Sequence, residues 1–280
     1  MKINNYLSNV IFLSLLLLSN AAFAEKGASN EKETQKQIAH GQLIWADLYS
    51  SDVNASLEFY QNVFGWTVKE FKPTTGSYHI FYKNSQPVAG LISRSTQRNK
   101  TEGALWIGSF STDDIQEKVQ SAASHNARII LAPHDFSLFG KRAVIADPQG
   151  SIFALLNLSE AQHKKEIQWD WAQLFSADPQ KAANFYIDSF NFQGEKIEQS
   201  NNGLYLLKQN QLVASIVQLP KAFEQRDRWI NFIFVDDIKD TLNKSIQLGA
   251  KIIYQAEDNT SAIIADPKGA LLGLSSEGIH

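Results

Sequence analysis

From Gln42 to Ser50 the chain places Leu43, Trp45, Asp47 and Tyr49 on one alternation and Ile44, Ala46 and Leu48 on the other. That is the period of a strand with both faces largely covered. The pattern then changes. Asp52 reads as a helix N-cap, and Val53, Leu57, Tyr60 and Phe64 fall on one helical face. Three β-rich runs follow, Trp66 to Phe71, Ser77 to Lys83 and Gln86 to Arg94, separated by Gly, Asn and Ser. Strand and helix begin again at Trp106 to Ser111, with Ile115, Val119 and Ala123 spaced by four behind Asp113 and Asp114.

All of this happens twice. The stretch from Trp45 to Trp66 returns as Trp171 to Phe192, repeating Trp, Asp (Asp52, Asp178), Phe-Tyr (Phe59 and Tyr60, Phe185 and Tyr186) and Phe (Phe64, Phe190) at a constant offset of 126. Pro179 takes the favoured first helical position after Asp178. Trp229 to Val235 and a helix bearing Ile238, Leu242 and Ile246 repeat the later module, and each half closes on an Asp-Pro-x-Gly turn, Asp147 to Gly150 and Asp266 to Gly269. The offset has fallen to 119 by that turn, which predicts an extra loop over Ser137 to Arg142 in the first copy. An internal duplication of two modules follows.

Each half thus predicts two strand-helix-strand-strand-strand modules. With the Asp caps, the Phe-Tyr and Phe-Gly-Trp motifs and the Asp-Pro-x-Gly turns in this order, the chain resembles the vicinal oxygen chelate superfamily, the glyoxalase, bleomycin-resistance and extradiol-dioxygenase group. The resemblance covers about residues 42–157 and 168–275. It implies an α+β fold of four βαβββ modules, forming two glyoxalase-like domains whose curved mixed sheets surround a cleft. The usual chemistry of that family holds a substrate's neighbouring oxygens on a divalent metal. Carried onto this sequence, its ligand positions fall on Trp45, Ile107 and Ala154, and on Trp171, Ile230 and Gly273. None of these side chains binds a divalent cation. We therefore expect no family metal and assign no cofactor.

Composition adds location. Lys2 precedes an apolar run, Val10 to Leu18, too short for a membrane span, and Ala22-Phe23-Ala24 resembles a cleavage site. Residues 1–24 read as a signal peptide, 25–41 as a flexible leader, 42–157 and 168–276 as the two domains and 158–167 as a linker. The chain has 280 residues, no cysteine and a net charge of −3. These values suit a periplasmic or secreted protein without disulfides. No basic stripe suggests nucleic acid, and no stable membrane anchor is expected after cleavage.

If the strand faces follow the resemblance, the clefts present Trp45, Asp47 and Tyr49 from one copy and Trp171, Gln173 and Phe175 from the other. Aromatic walls with few polar groups suit a small organic ligand. Asp47 is open to two readings: a salt bridge to an arginine such as Arg142, or a ligand contact or general base. His79 and His134 could join Asp47 in acid-base work or stand as ordinary strand and loop residues. Three functions compete: an exported small-molecule binder, a metal-independent lyase, isomerase or oxygenase using Asp47 or His79, and a structural protein with a filled cleft.

Overall fold

The structure is a computed structural model that describes residues 38, 40–71, 77–94, 103–136, 139–159, 169–197, 203–220 and 226–276. The expected signal peptide and leader lie outside these residues, apart from positions 38, 40 and 41. The first half runs β1 (Leu43–Ser50), α1 (Val53–Phe64), β2 (Thr67–Phe71), β3 (Tyr78–Lys83), β4 (Gln86–Ser93), β5 (Ala104–Ser111), α2 (Ile115–Ser124), β6 (Arg128–Phe136), β7 (Gly140–Ala146) and β8 (Ile152–Leu158). The second half runs β9 (Trp169–Ser176), α3 (Pro179–Phe190), β10 (Gln193–Lys196), β11 (Tyr205–Lys208), β12 (Leu212–Gln218), β13 (Arg228–Phe234), α4 (Ile238–Gln247), β14 (Lys251–Gln255), β15 (Ser261–Ala265) and β16 (Leu271–Ser275).

Each half forms one eight-stranded sheet, in the orders β2-β3-β4-β1-β5-β8-β7-β6 and β10-β11-β12-β9-β13-β16-β15-β14. The first strands of the two modules, β1 and β5 or β9 and β13, meet antiparallel at the centre. The fourth strand of each module returns parallel to the first. This is the tandem βαβββ architecture expected from the repeat.

Local chemistry sets the helix ends. Asp52, Asp114, Asp178 and Asp237 each accept a backbone N–H three residues ahead, which satisfies one orphan donor per helix. The chain leaves α1 and α3 through left-handed Gly65 and Asn191, conformations that Gly and Asn tolerate best. The buried helix faces differ from those expected. On α1 Ser56, Phe59, Tyr60 and Val63 are buried, while Val53, Leu57 and Phe64 only flank the core. On α2 Ala122 replaces Ala123, and on α4 Thr241 and Ser245 are buried while Ile246 is 49 % exposed. The reason is a helix-helix seam between the halves: α1 packs on α4 and α2 on α3. Close approach there favours small side chains over the widest apolar stripe.

One core runs through both halves along this seam. Two equivalent hydrogen-bond chains cross it. Trp106 Nε1 donates to the Tyr60 hydroxyl at 2.9 Å, and Tyr60 donates to Asp266 at 2.9 Å. Trp229 donates to Tyr186 and Tyr186 to Asp147 at the same distances. Each Asp-Pro-x-Gly turn thus receives a tyrosine from the other half. The x residues also cross: Lys268 reaches Asp52 at 2.8 Å, and Gln149 reaches Ser176, Asp227 and the Asp178 carbonyl. Of the expected loop over Ser137 to Arg142, Gly140 to Arg142 are strand, because β7 already starts at Gly140 and pairs there with Phe136 of β6, while positions 137 and 138 lie outside the described residues.

Candidate functional site

The sheet face turned away from the helices carries the candidate cleft of each half. In the first half β1 delivers Trp45, Asp47 and Tyr49 to it, as the alternation predicts. The alternation fails just before them. A bulge between Leu43 and Trp45 turns Leu43 to the helix side and leaves Ile44 beside Trp45.

Asp47 is fully buried and Arg142, on β7, is 2 % exposed. Arg142 Nη1 lies 2.7 Å from Asp47 Oδ2. Tyr78, on β3, donates its hydroxyl to Asp47 Oδ1 at 2.7 Å, and the Trp45 indole N–H donates to the same oxygen at 3.2 Å. Gly90 on β4 makes room for this: a Cβ there would stand 1.9 Å from Asp47 Oδ1 and 2.1 Å from the Tyr78 hydroxyl. Burial lowers the affinity of the guanidinium for its proton, but Asp47, Tyr49 and Tyr78 more than offset this, so Arg142 stays charged with its pKa raised. Burial pushes the Tyr49 phenol up, opposed by the neighbouring Arg142 charge, and pushes Tyr78 well up with help from Asp47. Both phenols therefore stay protonated near neutral pH; Tyr78 donates to Asp47, whereas the Tyr49 oxygen accepts from Arg142.

Aromatic rings cover the pair. Phe136 lies under the guanidinium at 5.1 Å, the distance of a cation–π contact, and Phe139 packs on Trp45 with 4.4 Å between ring centres. Two guanidinium nitrogens, Nε and Nη2, are buried without a hydrogen-bond acceptor among the described residues. An unmet donor pair is costly unless an acceptor arrives.

The second half places Trp171, Gln173 and Phe175 on the matching face, but the chemistry around them differs. Trp171 donates to Ser215, the counterpart of Gly90. Leu204 stands where Tyr78 does, and Ser261 where Arg142 does, judged by strand register. The face closes over Trp171, Phe175, Leu204, Leu206, Val217 and Phe232 as an apolar cluster. Of the two candidate histidines, the structure turns His79 away from Asp47. His79 pairs with Leu91 and Glu70 on the helix side of β3. His134 lies opposite Arg142 in register, with its ring against the Ala132 carbonyl. Sequence reasoning missed Tyr78, Phe136 and Phe139. Tyr78 was within reach, since it alternates with His79 and so faces the cleft that His79 avoids.

Residues 40–155 match the family described as the Glyoxalase/Bleomycin resistance protein/Dioxygenase superfamily. Those residues carry a domain of that superfamily. Anthracycline biosynthesis protein DnrV of Streptomyces peucetius is 26% identical over 259 residues, covering 84% of this chain and 92% of its own. Among solved structures, 2,2',3-trihydroxybiphenyl 1,2-dioxygenase from Sphingomonas wittichii is similar with a TM-score of 0.59 and 13% identity, covering 86% of this chain and 91% of that one. The Mn(II)-bound glyoxalase from Novosphingobium aromaticivorans gives 0.57 and 14%, covering 86% and 83%. These two likenesses show the fold alone.

The residues present do not fit a superfamily metal. Register corrects one expected position: Ser109, not Ile107, lies between Trp45 and Ala154, and Phe232, not Ile230, lies between Trp171 and Gly273. Neither set offers an imidazole or a carboxylate. In the second half the Phe232 ring covers Gly273 so closely that a Cβ there would fall 2.4 Å from it. Among the described residues no group of three His, Cys, Asp or Glu is placed to hold a metal ion.

Proposed function

We propose that the protein is an exported binding protein whose first domain takes a flat, oxygen-bearing aromatic molecule, and whose second domain is structural. The observation that carries this is the buried Arg142, fixed by Asp47, set over the Phe136 ring and left with Nε and Nη2 unmet. A ring carbonyl or phenolate oxygen supplies the missing acceptor, and Trp45, Phe136 and Phe139 supply stacking surface. Entry requires the Phe139 ring to leave the Trp45 indole. The relative DnrV, named for anthracycline biosynthesis, supports a flat polycyclic ligand of that chemical class.

The enzyme reading has less support, because His79 faces the helices and Asp47 is ion-paired with Arg142 while its other oxygen accepts from Tyr78 and Trp45. The filled-cleft reading suits the second half, where Phe232 lies over Gly273 and Leu204 replaces Tyr78. Export rests on Lys2, the run Val10 to Leu18 and Ala22-Phe23-Ala24. Mass spectrometry of periplasmic protein starting at Glu25 is the expected result; residues 1–24 retained on a cytoplasmic product would remove that part.

Binding is tested by titrating an anthracycline aglycone against intrinsic tryptophan fluorescence. The wild type is expected to saturate at one molecule per chain. The Asp47→Leu/Arg142→Met variant keeps an apolar floor of similar volume and is expected to bind at least about tenfold more weakly, the loss of a charge-assisted hydrogen bond. Equal affinity in that variant, or no saturation in the wild type, refutes the reading.

A further inference from the structure

A cavity of about 210 Å³ lies between the halves, on the side of the seam where α2 meets α3 and away from either cleft. Phe110, Phe153, Phe190 and Trp229 wall it, Phe192 and Leu207 bound it from the second half, and polar residues including Asp113, Lys118 and Gln209 complete its lining. The duplication explains how it arises. At the equivalent place where α1 meets α4, Trp66 stands for Phe192 and Phe81 for Leu207, both at the constant offset of 126.

Trp66 is 2 % exposed and packs 4.9 Å from Phe64, 6.0 Å from Tyr60 and 5.3 Å from Phe81. Beside it Trp169 crosses from the second half, its ring 5.5 Å from Trp106 and its indole N–H donating to the Val88 carbonyl at 3.0 Å, where the offset of 126 puts Leu43 on the other side. On the other side Phe192 meets one ring among the described residues, Phe190 at 6.3 Å. It leans instead on Gly41, where a Cβ would come within 2.2 Å of it. Leu207 offers no ring at all. A smaller ring at Phe192, no ring at Leu207 and Leu43 in place of the Trp169 indole leave the space that rings occupy in the twin.

We propose that this cavity is a binding site for a neutral, flat aromatic molecule of about indole size. The twin shows which shape completes such a wall, since the protein's own indole does so there. An apolar cavity of roughly 150 Å³ accepts benzene, so this one has room for a second fused ring. The walls offer edge and face contacts at the separations aromatic pairs prefer. This site is separate from the Arg142 cluster and does not depend on its ligand.

The probe is indole itself, titrated into the full mature chain by calorimetry and thermal unfolding. One saturable site per chain is expected, with the melting temperature raised by about 3–5 °C at ten times the dissociation constant. Phe192→Trp/Leu207→Phe copies the filled side; it is expected to raise the melting temperature by itself and to weaken indole binding at least tenfold. Leu207→Phe alone serves if the double variant does not fold, with a smaller loss in the same direction. Asp47→Leu/Arg142→Met is expected to bind indole as the wild type does. No saturable binding, affinity unchanged by filling the cavity, or binding lost in the cleft variant instead would each overturn the proposal.

Discussion

The two sheet faces descend from one sequence and have parted in chemistry. In the first half a carboxylate, a guanidinium and the Tyr78 phenol are buried together beside the half-buried Tyr49; in the second the same register positions hold Gln173, Ser261, Leu204 and Phe175. Trp45 and Trp171 alone keep their type, yet the indole N–H meets Asp47 in one and Ser215 in the other. The hinge of the difference is Gly90. Its missing side chain admits the Asp47 carboxylate and the Tyr78 hydroxyl to the space that the Ser215 side chain takes in the twin. A buried ion pair gives little net stability compared with apolar packing, and the second half shows that this fold closes without one. Its retention in the first half therefore points to a purpose other than folding, and ligand recognition is the one proposed above.

The largest effect should come from breaking that pair. Asp47→Ala strands the guanidinium and is expected to cost about 3–5 kcal/mol in urea unfolding. Gln173→Ala, its counterpart, should cost about 1–2 kcal/mol. Replacing both charges by Asp47→Leu/Arg142→Met should return stability to within about 2 kcal/mol of wild type, since desolvation of the pair is then avoided. Equal losses at Asp47 and Gln173 would mean that the two faces do not differ energetically.

The seam makes the opposite comparison, because there the halves are alike. Tyr60→Phe and Tyr186→Phe each leave a carboxylate oxygen and an indole N–H without their partner. Each is expected to cost about 2–3 kcal/mol, and the two losses should agree closely. A large inequality would show that one crossing contact dominates the docking of the halves.

Why the fold was readable and the site only partly so follows from these residues. Asp52, Asp114, Asp178 and Asp237 cap helices through contacts three residues away, so local sequence suffices. Trp45, Asp47 and Tyr49 follow the two-residue period of a strand, and Arg142 was foreseeable as a countercharge for a buried carboxylate. The faces of α1, α2 and α4 were not readable, because the helix seam sets them and period alone cannot show that Ser245 is buried in preference to Ile246. Asp147 and Asp266 were read as turn residues. Their backbone contacts do make the turns, but their second oxygens serve the other half, a partner that lies far away in sequence. His79 drew attention by its chemistry when its neighbour Tyr78 had the position.

A smaller effect belongs to Gly90 itself. Gly90→Ser copies the second half and forces Asp47 and Tyr78 apart; overpacking of this kind costs about 1–3 kcal/mol. Ser215→Gly removes one acceptor from Trp171 and should cost about 1 kcal/mol. If Gly90→Ser were neutral, the close packing around Asp47 would not be what separates the two faces.

The smallest effect is a slope with pH rather than a change of level, and it returns to the seam. Burial raises the carboxyls of Asp147 and Asp266 above the usual range, against the backbone N–H and tyrosine bonds that favour the charged form. A carboxyl with a higher pKa in the folded chain than in the unfolded chain holds its proton more tightly when folded. Its ionisation therefore opposes folding: the penalty is absent below the unfolded value of about 3.9, grows as pH rises to the raised folded value, and is constant above it. Acidification from neutral pH through that window should recover stability at these two positions. Asp147→Asn and Asp266→Asn keep an oxygen for the backbone donors and cannot ionise, so each should remove its own share of the slope. The readout is the difference between variant and wild type in unfolding free energy across the window, because exposed carboxylates such as Asp52, held low by Lys268, slope the other way in both proteins. Matching slopes in variant and wild type would show that these carboxyls titrate alike folded and unfolded, and that the crossing contacts carry no linked proton.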